Sequence, residues 1–294
     1  MTINPTTTSQ RDMHQYLLAA VAPRPIAFAS TIDADGVMNL APYSFFNAFS
    51  SNPPIVIFSS NRRGENNTTK DTLHNIEQTM EVVINVVSHD IVRQMALASI
   101  DYPPQVSEFE KAGFTPVASE LVRPFRVKES PVQMECKVER IISLGDGPGA
   151  GNLIVCHVVM MHIDERVLDA QNRIDPHKID LVGRMGRAYY TRASGEAIET
   201  ILQPVHEIGV GFDGLPSHIR HSLVLTGNEL ARIAALTALP TPEEILFFQK
   251  EDKKLSEILE FERPQEAQHL YAREILETKN DATMAAKVLM ATKG

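Results

Sequence analysis

Between Pro23 and Ser60 the sequence alternates short apolar runs with small residues that carry hydroxyl or amide groups. The runs PIAFAST, VMNLAP and PPIVIFSS have the length and composition of β-strands, and an ADG turn at Ala34 to Gly36 separates the first two. The polar side chains crowd onto strand ends and connections, where they favour turns but also offer hydrogen bonds to a ligand. The pattern predicts successive strands and leaves both roles open for the polar groups.

Helix-like and strand-like segments mix through the rest of the first 200 residues. We expect helices from about Met13 to Ala20, from Asn67 to Met80 with its start near the TTKDT run, and from His89 to Ser99. The strand EVVINVV lies between the last two, and FEKAG is a possible helical turn. Two long strands, PVQMECKVERIISL and NLIVCHVVMMHID, flank the glycine-rich segment Gly145 to Gly151. That segment lacks the Gly-Lys-Ser/Thr ending of a phosphate loop and does not precede a helix, so it predicts a hairpin connection.

This order of elements favours a mainly β fold with helices, an antiparallel β-barrel with helices at its periphery. A doubly wound parallel sheet needs regular strand–helix alternation, which the sequence does not show. No GxGxxG motif follows the first strand, which disfavours a Rossmann dinucleotide site.

The composition changes near Thr200, where β-branched runs give way to segments rich in Ala, Leu, Glu and Lys. TGNE at Thr226 and TPEE at Thr241 have the capping-box pattern, and Pro242 occupies the favoured first helical position. Both motifs predict helix starts. We therefore expect a barrel over residues 1–200 and a helical C-terminal extension over residues 201–294.

The formal net charge of −9 argues against a general nucleic-acid or anionic-membrane surface, so an anionic ligand must meet a local positive site. No run approaches the roughly 20 apolar residues of a membrane span, and we expect a soluble cytoplasmic protein. Cys136 and Cys156 lie in apolar runs without metal-ligand or CxxC spacing. They are interpreted as buried small hydrophobes, and no metal site is predicted.

Five segments carry a resemblance to a known family: PRPIAFAST, NLAPYSFFNAFSSNPP, KDTLHNIEQT, FEKAGFTP and DLVGRMGRAYY. Over about residues 13–192 the chain resembles the flavin reductase-like family with an FMN-binding split barrel, in which the segments occur in this order. The resemblance implies an antiparallel split β-barrel, FMN as cofactor and a homodimer with the flavin near the subunit boundary. It does not extend beyond Thr200.

The resemblance implies that FMN lies along the strands that enter from Pro25 and Ile26. It places the following residues around the ring and ribityl chain: Ser30, Thr31, Asn39, Leu40, Ala41, Pro42, Ser44 and Asn47. Turn and cap chemistry is the alternative for Asn39, Ser44 and Asn47. Phe45, Phe46 and Phe49 are expected in one loop, where they either line the flavin site or pack in the core.

The candidates for holding the FMN phosphate are Ser59, Ser60, Arg62, Lys70 and Thr72. Lys70 is the preferred one, because the amides and dipole at the start of the predicted helix add to its charge. Asp71 in the KDT motif is expected beside the ligand as a cap or as a group that orients Lys70. For Arg62 a solvated loop is an equal alternative.

Three further candidates lie near the end of the region that resembles the family. Arg184 and Tyr189 are expected at the flavin near the barrel closure, although RMGRAYY departs from the family pattern at Met185 and Arg187. His177 in IDPHKID is a candidate for the nicotinamide side of the flavin.

The resemblance implies an NAD(P)H-dependent FMN reductase, in which hydride passes from nicotinamide to flavin N5 without a side-chain general base. A partner monooxygenase is the expected recipient of reduced flavin. Two alternatives stay open: a flavoredoxin-like FMN-binding electron carrier, and a non-catalytic cofactor-binding or assembly protein whose C-terminal helices contact a partner. The sequence does not distinguish NADH from NADPH.

Overall fold

The structure is a computed structural model that describes residues 1–201 and 207–292. Contacts between Cα atoms divide the chain into two compact units, Met1–Glu199 and Thr200–Gly294. Residues 202–206 and 293–294 of the predicted helical extension lie outside the described residues. In the two described stretches, no helix combines the length and the apolar character needed to span a membrane.

The first unit is built mainly of strands. They are β1 (Ala27–Ile32), β2 (Met38–Tyr43), β3 (Phe46–Ser51), β4 (Pro54–Ser59), β5 (Glu81–Val86), β6 (Pro116–Val117), β7 (Arg126–Val127), β8 (Val132–Ser143), β9 (Asn152–Ile163), β10 (Val182–Arg184) and β11 (Tyr190–Arg192). Its helices are α1 (Gln10–Ala20), α2 (Asp71–Thr79), α3 (Val92–Leu97) and α4 (Glu108–Ala112).

Seven antiparallel strands form one sheet in the order β2-β1-β5-β8-β9-β4-β3. A flat sheet of this width would separate its edge strands by about 29 Å, six spacings of about 4.8 Å. Tyr43 ends β2 and Phe46 begins β3, so the link between the two edges spans at most about 11 Å. The sheet must therefore curl until its edges meet, which confirms the predicted antiparallel split β-barrel.

The barrel buries side chains on both faces of its central strands. One core cluster fills the side against α2 and includes Phe58 and Ile154, while a second cluster packs α3 and α4 and includes Phe28. Cys136 and Cys156 are fully buried, as predicted, and burial raises the pKa of both thiols. The cysteines therefore act as core residues.

Two sequence-based boundaries need correction. The helix predicted from Asn67 begins only at Asp71, because the preceding residues form a loop in which Arg62 and Arg63 bind main-chain and side-chain oxygens. The segment predicted as a loop around Phe46 and Phe49 contains strand β3. This edge strand pairs with β4 alone and is largely exposed, so its sequence lacks the apolar alternation of a half-buried strand. The predicted hairpin at Gly145 to Gly151 is confirmed, since β8 and β9 pair across it.

The second unit is helical where the structure describes it. Its helices are α5 (Ser217–Arg220), α6 (Gly227–Ala234), α7 (Pro242–Glu251), α8 (Lys253–Leu259), α9 (Pro264–Lys279) and α10 (Ala282–Met290). Thr226 and Thr241 form complete capping boxes at the starts of α6 and α7, as predicted. The apolar faces of these helices meet in one core.

Candidate functional site

A cavity of about 220 Å³ lies where α1, the link between β2 and β3, and the residues after β10 come together. We call it the cationic cavity; its lining is His14, Leu18, Arg24, Pro42, Tyr43, Ser44, Phe45, Ser59, Asn61, Lys70, Arg184 and Met185. Three of these described lining residues are permanent cations, and none is a carboxylate. In a chain of net charge −9, this is the local positive site that an anionic ligand requires.

Arg24 holds the elements around this cavity together. Its guanidinium, in a residue only 4% exposed, donates to the carbonyls of Leu18 and Val21 at 2.5 Å and of Met185 at 3.1 Å, and more weakly to Ser44 Oγ at 3.4 Å. These bonds fix the end of α1 and the residues after β10 against the barrel. In the described part of the chain no carboxylate pairs with it. Burial, together with nearby Arg184, lowers the pKa of Arg24.

Lys70 borders the cavity at the start of α2. Its Nζ lies 5.6 Å from the centre of the Tyr43 ring, and no ion pair or hydrogen bond engages it among the described residues. Lys70 is also the N-cap residue of α2, and no side chain caps the free amides of the first turn. An ammonium group and uncapped helix amides thus lie together, an arrangement that favours a phosphate.

Two buried hydroxyls have no hydrogen-bond partner among the described residues: Tyr43 Oη and Ser60 Oγ. Tyr43 lines the cavity beside Lys70, whereas Ser60 lies near Tyr43 outside the cavity lining. Burial raises the pKa of Tyr43 to about 12, and the nearby hydroxyls of Thr72 and Ser60 offset this only in part. An unpaired buried polar group costs about 1–3 kcal/mol. A polar ligand beside Lys70 would satisfy the Tyr43 hydroxyl.

Some residues predicted to contact the cofactor instead bind one another. Asn39 Nδ2 donates to Thr31 Oγ1 at 3.1 Å and to Thr72 Oγ1 at 2.9 Å, and Asn75 Nδ2 donates to Thr31 Oγ1 at 3.1 Å. All four residues are buried. The network fastens α2 to β1 and β2, and thereby sets the position of Lys70. Ser30 is also fully buried, and its Oγ has no partner.

A smaller pocket of about 50 Å³ adjoins the cationic cavity and shares Pro42, Tyr43 and Lys70 with it. Ala41, Asp71 and the buried Asn39 and Thr72 also line it. Its outer wall contains an ion pair in which Arg63 Nη2 lies 3.1 Å from Asp101 Oδ1, a contact that raises the pKa of Arg63 and lowers that of Asp101.

The buried carboxylate of Glu108 lines the same pocket and accepts the Leu40 amide at 2.9 Å. Burial raises the pKa of Glu108. The bond satisfies a main-chain donor of edge strand β2 and so attaches α4 to the barrel edge.

The remaining predicted residues fall outside the cationic cavity. Pro25 and Asn47 line an apolar groove of about 320 Å³ with Phe45, Phe46 and Phe49, whereas Ile26 and Leu40 are buried in the core. The guanidinium of Arg62 is engaged by Asn67, at 2.8 Å to Oδ1 and 2.6 Å to the carbonyl. Tyr189 is 67% exposed, and its carbonyl accepts from Arg184 at 3.3 Å. His177 lies on an exposed turn and lines neither cavity.

Sequence reasoning missed five lining residues: His14, Leu18, Arg24, Tyr43 and Asn61. The available signal for Arg24 was its position between two prolines in an apolar segment, an unusual place for a charge. His14 lies edge-on to Phe45, with ring centres 6.4 Å apart, so α1 supplies one wall of the cavity.

The family model for the flavin reductase like domain matches residues 19–182, more than half of the chain. The chain belongs to the flavin reductase-like family. An uncharacterized protein of Aquifex aeolicus (strain VF5) is 37% identical over 184 residues, which cover 63% of this chain and 91% of that protein. The match thus includes most of the relative and leaves part of this chain without a counterpart.

Two solved structures share both the fold and appreciable sequence identity. Nitrilotriacetate monooxygenase component B from Bacillus cereus is 33% identical with a TM-score of 0.63, and the match covers 68% of this chain and 98% of that one. The 2-nitrobenzoate 2-nitroreductase NbaA of Pseudomonas fluorescens is 27% identical with a TM-score of 0.61, covering 69% and 96%. Family membership implies a flavin such as FMN, and the cations and the unpaired Tyr43 hydroxyl of the cavity fit its phosphate and polar ring edge.

Proposed function

We propose that this flavin oxidoreductase is an NAD(P)H-dependent FMN reductase that uses the cationic cavity. The observation that supports FMN most strongly is the grouping of Arg24, Lys70 and Arg184 in a lining without a carboxylate. Arg24 is buried, Lys70 and Arg184 are half-buried, and cations grouped in this way without counter-ions favour an anion among them. FMN carries a dianionic phosphate, and its ring edge gains negative charge on reduction.

Within this proposal Lys70, the first turn of α2 and the unpaired hydroxyl of Tyr43 hold the phosphate. Arg184 supplies a further positive charge to the lining, and its guanidinium lies 4.6 Å from the centre of the Tyr190 ring. When bound, FMN supplies the hydride-accepting ring. The protein positions that ring, excludes water with Leu18 and Phe45, and provides the electrostatic field.

We propose that the active form is a homodimer with residues 1–200 as the flavin-binding barrel and residues 201–294 as a helical extension. No residue of α1 is buried, and β3 is an exposed edge strand that carries Phe49 at 64% exposure. A second barrel would cover both features. The mass of the protein in solution, measured by light scattering, tests the dimer, and a monomer at micromolar concentration contradicts it.

The proposed role in the cell is to supply reduced flavin to a partner monooxygenase in the cytoplasm. The similarity to the component B of nitrilotriacetate monooxygenase supports this role. A flavin that exchanges with solution suits the role, whereas a tightly retained flavin suits an electron carrier.

The decisive experiment mixes FMN-loaded protein with NADH or NADPH under anaerobic conditions and follows the oxidised flavin absorption. We expect rapid bleaching with at least one nucleotide. Persistent oxidised flavin with both, in protein that binds FMN, contradicts the reductase and favours the electron carrier. Failure to bind FMN, with no rise in melting temperature on its addition, contradicts the flavin site itself.

A further inference from the structure

A second cavity lies on the β10–β11 hairpin and has no role in the site described above. We call it the hairpin pocket; it measures about 460 Å³, and its lining includes Val92, Arg93, Ala96, Val182, Tyr190 and Arg192. Its volume falls within the range of small-molecule sites, about 300–1,000 Å³. The pocket is about twice the volume of the cationic cavity.

One layer of side chains joins the hairpin pocket to the cationic cavity. Arg184 lines the cationic cavity, and its guanidinium lies over the ring of Tyr190, which lines the hairpin pocket. Val182 of the hairpin pocket is two residues from Arg184 on β10, about 6.6 Å along the strand. A ligand with two separated ring systems can therefore reach both cavities.

The chemistry of the hairpin pocket suits an aromatic ligand with a phosphate. Val92, Ala96 and Val182 supply apolar surface, and the Tyr190 ring supplies a stacking partner. Arg93 is exposed and forms no ion pair or hydrogen bond within the part of the chain that the structure describes. A guanidinium without a partner is well suited to bind a phosphate.

The acidic groups near this pocket offset the charge of Arg192 but leave Arg93 without a counter-ion among the described residues. Asp180 is held by Arg192 through two hydrogen bonds of 2.7 and 2.6 Å, which leave Arg192 Nη1 available. Asp90 lies beside His89 and Asp180, but neither carboxylate belongs to the pocket lining. The described lining thus has two arginines and no acid.

We propose that the hairpin pocket binds the adenosine-phosphate half of the reducing dinucleotide, with Arg93 as its phosphate ligand. This inference rests on the proposed NAD(P)H-dependent function. It assigns the reductant a binding surface distinct from the flavin cavity, with the nicotinamide directed past Arg184. Arg93 then determines the affinity for the nucleotide and has no part in FMN binding.

The test uses calorimetric titration of FMN-loaded protein with three non-reducing probes: NADP⁺, adenosine 2′,5′-bisphosphate and AMP. We compare Arg93→Gln, which removes the phosphate ligand, and Ala96→Glu, which adds a negative charge to the pocket. Arg140→Gln is the control, because Arg140 is another exposed arginine without a hydrogen bond or ion pair in the described chain and lies on β8. FMN affinity is measured by fluorescence in every variant.

For each probe that the unaltered protein binds, we expect both pocket variants to weaken binding by roughly tenfold or more. The control and the FMN affinity should stay within about twofold. The relative affinities of adenosine 2′,5′-bisphosphate and AMP show whether Arg93 binds the 2′- or the 5′-phosphate. Unchanged probe affinity in both variants, or no probe binding by the unaltered protein, overturns the inference.

Failure of this inference is distinguishable from failure of the proposed function. If NAD(P)H bleaches the flavin while Arg93→Gln leaves probe affinity unchanged, only the hairpin pocket is excluded. If no nucleotide bleaches the flavin but the probes bind and depend on Arg93, the nucleotide site stands and the reductase assignment fails.

Discussion

The helical unit and the barrel unit use polar side chains in different ways. In the helical unit Thr226 and Thr241 each bond a main-chain amide three residues ahead, so the groups that define the helix ends are satisfied locally. In the barrel Arg24 reaches the carbonyl of Met185, 161 residues away, and Tyr43 Oη has no partner. The local partners specify helix ends, whereas the distant partners of Arg24 join separate elements around the cationic cavity that Tyr43 also lines.

The largest effect is expected for Arg24→Met. This substitution removes the guanidinium that donates to the distant carbonyl of Met185 and keeps an unbranched side chain. The carbonyls of Leu18, Val21 and Met185 lose their donor, so we expect the free energy of unfolding to fall by about 3 kcal/mol. Urea denaturation of the FMN-free protein measures it. Arg184→Met is the control, with an expected loss under about 1 kcal/mol, since Arg184 is partly exposed. Equal losses in the two variants contradict the assigned role of Arg24.

Local chemistry explains which parts of the molecule were predictable from sequence. The capping boxes and the Gly145–Gly151 hairpin depend on neighbouring residues, and both were found where the sequence placed them. Strand β3 was missed, because an exposed edge strand leaves no apolar pattern. The role of Arg24 was not predictable, since two of its carbonyl partners lie at the end of α1 and the third belongs to Met185, 161 residues further along the chain.

In the candidate site, too, local features were predictable from the sequence and tertiary contacts were not. The KDT segment was predicted to start a helix beside the ligand, and Lys70 does lie at a helix start beside the cavity. Thr31 and Asn39 lie opposite each other on the paired strands β1 and β2. The sequence could not show that Thr72 joins them, because the packing of α2 on these strands is a tertiary contact.

The next test compares Lys70, which has no hydrogen bond or ion pair among the described residues, with Arg62, whose guanidinium has hydrogen-bond partners. Lys70→Ala should weaken FMN binding by roughly tenfold to a hundredfold, the value of a charge-assisted hydrogen bond of about 1.5–3 kcal/mol. Arg62→Ala should weaken it by less than about threefold, because Asn67 already engages the Arg62 guanidinium. Fluorescence titration with FMN measures both. Unchanged affinity in Lys70→Ala removes this residue from the phosphate site, and a larger effect of Arg62→Ala reverses the assignment.

Two tyrosines provide a matched pair, one in each unit. Tyr271 Oη donates to Asp252 Oδ2 at 2.7 Å, whereas Tyr43 Oη has no partner. Tyr271→Phe should lower stability by about 1.5–3 kcal/mol, because a hydrogen bond to a carboxylate is lost. Tyr43→Phe should leave the FMN-free protein as stable as before, or slightly more stable, and weaken FMN binding about fivefold. A stability loss in Tyr43→Phe of the same size as in Tyr271→Phe shows that the Tyr43 hydroxyl is part of the fold.

The smallest expected effect tests whether helix caps act only locally. Thr241→Ala removes the side-chain oxygen that accepts the Glu244 amide at 3.3 Å, so we expect a loss of about 1 kcal/mol confined to α7. Hydrogen exchange followed by mass spectrometry should show faster exchange in the first turn of α7, with exchange in β1 and FMN affinity unchanged. Thr241→Ser keeps the acceptor and should restore protection. If Thr241→Ala instead weakens FMN binding, the helical extension contributes to the flavin site, and the separation of local caps from ligand-binding groups fails.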